Sequence, residues 1–135
     1  MNKTNIKTII IGVLIALGSF YLITFIETIL NFTMGISFKK PLSEYLLWGY
    51  SPIIFSGVYV GFSKATKKII IGIIIGLLFR LLLWLMLDVL IPDPYFDHTF
   101  KLSSFSFGVA RHALLCALLA WSSHQLIQKM KQKEI

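Results

Sequence analysis

The chain has 135 residues, enough for one domain covering 1–135, and 56% of them are hydrophobic while 14% are charged. A soluble domain carries about a quarter charged residues, so this composition, with a mean hydropathy of +0.79, excludes an ordinary soluble fold and makes lipid the expected solvent. The net charge of +7 would suit nucleic acid, but its distribution along the chain assigns it to a membrane surface instead.

The first element is announced by Lys3 and Lys7 and then an apolar run over 9–30. A helix rises about 1.5 Å per residue, so this run is long enough to cross a hydrocarbon core of about 30 Å. It continues well past the length of a signal-peptide core, which makes it an uncleaved first span. Gly12 and Ala16, then Thr24 and Thr28, recur every four residues along it. The stretch 31–45 breaks the pattern with Gly35 and Lys39-Lys40-Pro41.

A second span is expected over 46–63, short and interrupted by Pro52, with Gly49, Gly57 and Gly61 at multiples of four. The polar turn Ser63-Lys64-Ala65-Thr66-Lys67-Lys68 follows. The third span, 69–91, is the most apolar, and it ends at Pro92-Asp93-Pro94, because proline cannot continue a helix. Gly72, Gly76, Arg80, Trp84 and Asp88 form one slowly winding ridge on it, small at its start and polar towards its end. Ile74 is expected to face away from that ridge. The fourth span, 105–127, carries Gly108, His112, Cys116, Ala120 and His124 at the same spacing, with Arg111 beside the ridge. Small residues spaced by four let helices approach closely, so Gly57, Gly61, Gly72, Gly76 and Gly108 are expected to be helix-packing positions. The sequence therefore predicts an all-α fold, an integral membrane bundle of four transmembrane helices.

Orientation follows from the lysines, because cytoplasmic loops are enriched in Lys and Arg. With the N-terminus inside, Lys3, Lys7, Lys64, Lys67, Lys68, Lys129, Lys131 and Lys133 share one side, with Glu134 as the only acid there. Lys39, Lys40 and Lys101 balance Glu44, Asp93 and Asp97 on the other side, and Arg80 and Arg111 balance Glu27 and Asp88 within the spans. The net charge is then entirely cytoplasmic, both termini lie inside the cell, and anionic headgroups rather than nucleic acid explain it.

Ionisable residues within lipid are costly and mark candidate sites. Glu27, Arg80, Asp88, Arg111 and His112 are expected to gather as one polar cluster in the outer half of the bundle, with Arg111 pairing Glu27. The segment Asp93-Pro94-Tyr95-Phe96-Asp97-His98 lacks a second cluster to complete a metal shell, and one cysteine, Cys116, makes neither a disulfide nor a CxxC zinc site. GxSxG, HExxH and phosphate-binding glycine loops are absent from the chain. No metal, cofactor or catalytic residue is expected. The expectation for function is a non-enzymatic accessory or regulatory subunit of the cell membrane, acting through helix–helix contacts with a partner protein. The alternative is a small homo-oligomeric transporter or channel with an arginine-lined anion path. A lipid-active enzyme using Asp88, Asp97 or His98 ranks last.

Overall fold

The computed structural model describes residues 2–34, 50–86 and 102–134, except for the side chains of 27, 31, 34 and 102–105. These residues form four α-helices: α1 Lys3–Met34, α2 Ser51–Phe62, α3 Lys68–Trp84 and α4 Leu102–Lys133. No strand occurs among them.

α1 is longer at both ends than its apolar run. Asn2 caps its start, its Oδ1 accepting from the Thr4 amide at 3.4 Å. Its threonines extend the helix through polar positions by turning their hydroxyls back onto the preceding turn: Thr8 onto Thr4 at 2.9 Å, Thr24 onto Phe20 at 2.8 Å and Thr33 onto Ile29 at 2.7 Å. α1 is the one described helix that is both long and apolar enough to cross a membrane, over Lys3–Leu30 with hydropathy 2.6.

α2 covers the described part of the second expected span. Its regular turns start at Ser51, which places Pro52 in the first turn, where the missing N–H would have had no helical partner anyway. Residues 46–49, which the expected span included, lie outside the described set, as do 87–91 at the far end of the third. α2 closes at Ser63, whose hydroxyl donates to Val60 O at 2.7 Å. The Lys68 ammonium, reaching back from the start of α3, donates to Gly61 O at 2.6 Å and Ser63 O at 2.7 Å. It thereby satisfies carbonyls that the helix end leaves over. Between the two helices Lys67 turns the chain with φ 51, a left-handed conformation that is strained for a side-chain-bearing residue.

The helices alternate in direction. Gly72 faces Ala117 and Gly76 faces Ala113, while Arg80 reaches Gly108, so α3 and α4 run antiparallel. Gly57 faces Leu119 and Gly61 faces Ser123, while Tyr50 meets Arg111 and His112, so α2 and α4 run parallel. α1 follows α3, with Gly12 beside Ile75 and the Tyr21 hydroxyl 3.5 Å from Met86 Sδ. The largest interface is α3 with α4, followed by α2 with α4; α1 packs on α2 and α3. α2 and α3, though joined by a short turn, meet little, because α4 is wedged into the groove between them. α1 and α4 occupy the long diagonal and share the least contact of any pair.

This arrangement brings the start of α1, the α2–α3 turn and the end of α4 together. Asn5 Nδ2 donates to Thr66 Oγ1 at 3.1 Å, and its Oδ1 accepts from the Thr66 amide at 3.1 Å. Lys68 lies close enough to Lys131 that, after burial, this second charge helps hold its ammonium below the ordinary lysine pKa. The basic residues at the two described termini and in the turn therefore share one end of the bundle.

The core is thin. α1 contributes Ile9, Val13, Ala16 and Phe20, α2 contributes Ile53 and Val60, and α3 contributes Ile71, Ile75, Phe79 and Leu83. α4 offers small side chains instead, Ala113, Cys116, Ala117 and Ala120. They fit the glycines opposite. A Cβ on Gly76 would stand 2.6 Å from Ala113 Cα, and one on Gly72 2.8 Å from Ala117 Cα. Ile74, expected on the side away from the glycine ridge, is half-buried and packed against the core, since α3 is flanked by both α1 and α4.

Candidate functional site

Away from the lysine end, three helices bring polar and aromatic side chains to one level. α4 supplies Phe107, Gly108, Arg111 and His112, α3 supplies Phe79 and Arg80, and Tyr50 stands at the head of α2. Gly108 is the centre of the arrangement. The Arg80 guanidinium lies against it, with Nε 3.2 Å and Nη2 3.5 Å from where a Cβ would project. Any side chain at this position would press on the arginine, so the glycine here seats a charged head group, whereas Gly72 and Gly76 admit a backbone.

His112, 2% exposed, points its Nδ1 at Gly108 O over 2.7 Å. A carbonyl only accepts, so Nδ1 carries the proton in this contact. The imidazole then packs between two rings: Tyr50, 6.3 Å away and nearly parallel at 11°, and Phe79, 6.0 Å away and tilted by 43°. Arg111 lies on the outer side of the same group, its guanidinium carbon 5.2 Å from the Tyr50 ring centre and 5.8 Å from that of Phe107. Cation–π contacts of this kind contribute about 0.5–2 kcal/mol, more as water is excluded.

Of the five residues expected to cluster, Arg80 and His112 both meet Gly108, while Arg111 meets the rings of Tyr50 and Phe107. The Glu27 side chain and Asp88 lie outside the described residues, and so does the expected Glu27–Arg111 pair. Asp93, Asp97 and His98 also lie outside them. Tyr50 was not among the residues expected to cluster, and it joins the group by facing His112 and Arg111. Gly108 was read as a packing position, and its contact is with an arginine. Its spacing of four from His112 was the available signal, since i and i+4 stack on one helix face.

Among the described residues no three His, Cys, Asp or Glu side chains converge as a metal site. Cys116 is buried within the core. The arrangement is an all-α bundle with a cationic and aromatic cluster between three helices. Compared with family models, curated proteins and solved structures, the chain finds no match in any of the three.

Proposed function

We propose that the chain is a multi-pass protein of the cell membrane, with four spans and cytoplasmic termini, acting without enzymatic chemistry as an accessory or regulatory subunit through helix–helix contacts. The observation that carries this reading is the apolar exterior. All four helices expose large hydrophobic side chains, among them Leu14 at 61%, Phe25 at 62%, Phe62 at 64% and Leu118 at 61%. Contiguous apolar surface on that scale belongs against lipid or another protein. The gathering of lysines at one end supports the orientation.

The glycines of α2 and α3 narrow where a partner would dock. They meet α4 within the chain, so they offer no small-residue seam to the outside. α1 does: Ile10, Leu14, Leu22 and Ile26 are exposed along one face, and at Gly18 a Cβ would meet nothing within 4 Å. Two experiments test the reading. Single cysteines at positions 66 and 133 should label only from the cytoplasm, and those at 39 and 99 only from outside; outside labelling at 133 rejects four spans. Photo-crosslinkers at positions 14 and 22 should trap one discrete partner protein in native membranes, whereas crosslinks to lipid alone reject the accessory role.

The transporter reading draws on one specific observation, the placement of Arg80 and Arg111 at a common level. It requires an assembly of several copies, because four short helices rarely enclose a pathway alone. A strict monomer in mild detergent and in native membranes rejects it.

A further inference from the structure

Where α3 and α4 run antiparallel, they leave an apolar groove of about 230 Å³ on the outside of the bundle, lined by Ile69, Ile73, Leu114, Ala117, Leu118 and Trp121. Its floor is the close approach of Gly72 to Ala117, which draws the two backbones together beneath the larger side chains. The register that sets Gly72 against Ala117 brings the start of α3 level with Trp121, so the groove opens at the lysine end. We propose that this groove holds one acyl chain of an anionic phospholipid of the cytoplasmic leaflet, with Trp121 at the headgroup boundary and Lys129 and Lys67 serving the headgroup. This rests on the membrane placement proposed above and is independent of the accessory role.

The side chains along α4 follow the order of a phospholipid read from its tail. Leu114, Leu118, Trp121, Gln125 and Lys129 share one face of the helix by their spacing. The two leucines are each 61% exposed and Trp121 is 49% exposed, and Lys129 stands exposed beyond them. Hydrocarbon, ring, amide and cation thus succeed one another towards the lysine end, and an indole suits the boundary between chain and headgroup. α3 repeats the order in the opposite sense, from Ile73 and Ile69 to the exposed Lys67. Lys68 takes no part, because its ammonium is occupied by the Gly61 and Ser63 carbonyls. Length then selects the occupant. From Leu114 to Lys129 the helix rises about 22 Å, half of a bilayer of about 40–45 Å with its headgroups. One turn before Leu114 the same face carries Arg111, its guanidinium over the Phe107 ring, so the apolar lining stops within one leaflet. A crossing helix calls for a seam of full membrane length, whereas a single lipid needs no more than this.

The test uses the full chain in vesicles of phosphatidylcholine with a fixed fraction of phosphatidylglycerol, in which one lipid or the other carries bromine on its acyl chains as a quencher. The chain has three tryptophans, so the quenching lost in Trp121→Phe is that of Trp121. A lysine beside a headgroup favours an anionic lipid about fivefold, so two should give brominated phosphatidylglycerol an advantage of about twentyfold at Trp121. Lys129→Gln and Lys67→Asn should each lower it about fivefold, asparagine being tolerated in the left-handed conformation of position 67. Lys3→Gln together with Lys7→Gln, on α1, should leave it unchanged. Equal quenching by the two lipids, an advantage that survives loss of Lys129 and Lys67, or one that falls as far with Lys3 and Lys7, overturns the site and leaves the membrane placement standing. Quenching of Trp121 that fades as chains are crowded into the vesicles puts a second copy in the groove and overturns it too. Trp121 unquenched while another tryptophan responds does the same; three unquenched tryptophans reject the membrane placement together with the site. Should Trp121→Phe fail to fold, the chain with Trp48→Phe and Trp84→Phe reads Trp121 alone.

Discussion

The groove that receives α4 and the outer face of α1 use glycine to opposite ends. At Gly76 the backbone of a neighbouring helix occupies the space of a side chain, 2.6 Å from a would-be Cβ, whereas at Gly18 nothing lies within 4 Å. Both are mid-helix glycines among isoleucines and leucines, and each gives up the same intrinsic helix propensity. The difference teaches that a glycine's role is set by the atoms opposite, which belong to residues far away in sequence. α4 is held by backbone-level fit, while α1 is held by larger side chains and by hydroxyl and amide bonds.

Four substitutions sharpen or break that contrast. Gly76→Ala should have the largest effect, because its new methyl meets Ala113 backbone rather than a side chain that can move aside. A loss of about 3 kcal/mol or more is expected in detergent unfolding, at the upper end of overpacking costs. A wild-type midpoint for this variant would mean that α3 and α4 stand farther apart than described. Exposed Ile70 is the proper control position, not Ile74, which packs on the core. Next comes Asn5→Ala, which removes both bonds to Thr66. Its cost should be about 1–2 kcal/mol, and amide exchange should quicken at the start of α1 and in the turn while α4 stays protected. Uniform quickening would show that α1 and α4 are not held independently. Lys67→Gly should stabilise by roughly 0.5–1 kcal/mol, since glycine adopts the left-handed turn without the steric penalty. The smallest effect, also a gain, belongs to Gly18→Ala: about 0.5 kcal/mol from helix propensity alone. A clear loss there, seen in native membranes but not with the isolated chain, would reveal a partner seated on α1.

The pH dependence of Lys68 offers a further check on the lysine end. Its pKa is lowered in the folded chain by burial and then by Lys131. Between that lowered value and the ordinary 10.5, the unfolded chain binds more protons than the folded one, so stability rises with pH across this window. Lys68→Met should remove the rise. If the slope persists, another group produces it.

Much of the fold was legible because helical periodicity and breakers are local signals. The Lys64–Lys68 turn and the inward ridge from Gly108 to Ala120 follow from spacing, and the antiparallel run of α4 along α3 follows from the expected alternation of successive spans. Pro52 falls in the first described turn of α2, where its missing N–H forfeits no helical hydrogen bond. Helix neighbours were not legible: spacing marks the small-residue faces but not which helix each one meets, and α4 packs on both α2 and α3. The site divides in the same way. Arg80, Arg111 and His112 stand out because charge in an apolar run is rare, while Tyr50 is one aromatic residue among many and gains its role only by facing His112.

The wedge position of α4 has a consequence for synthesis. α4 leaves the ribosome after α1, α2 and α3, yet it carries the residues that fill both glycine seams. Until it arrives, α1, α2 and α3 can form only their looser contacts, and Gly57, Gly61, Gly72 and Gly76 line an open cleft. The close fit of α4 therefore forms after the looser contacts of the three helices before it, and Arg80 waits with it, because the glycine that seats its head group comes in on the same helix.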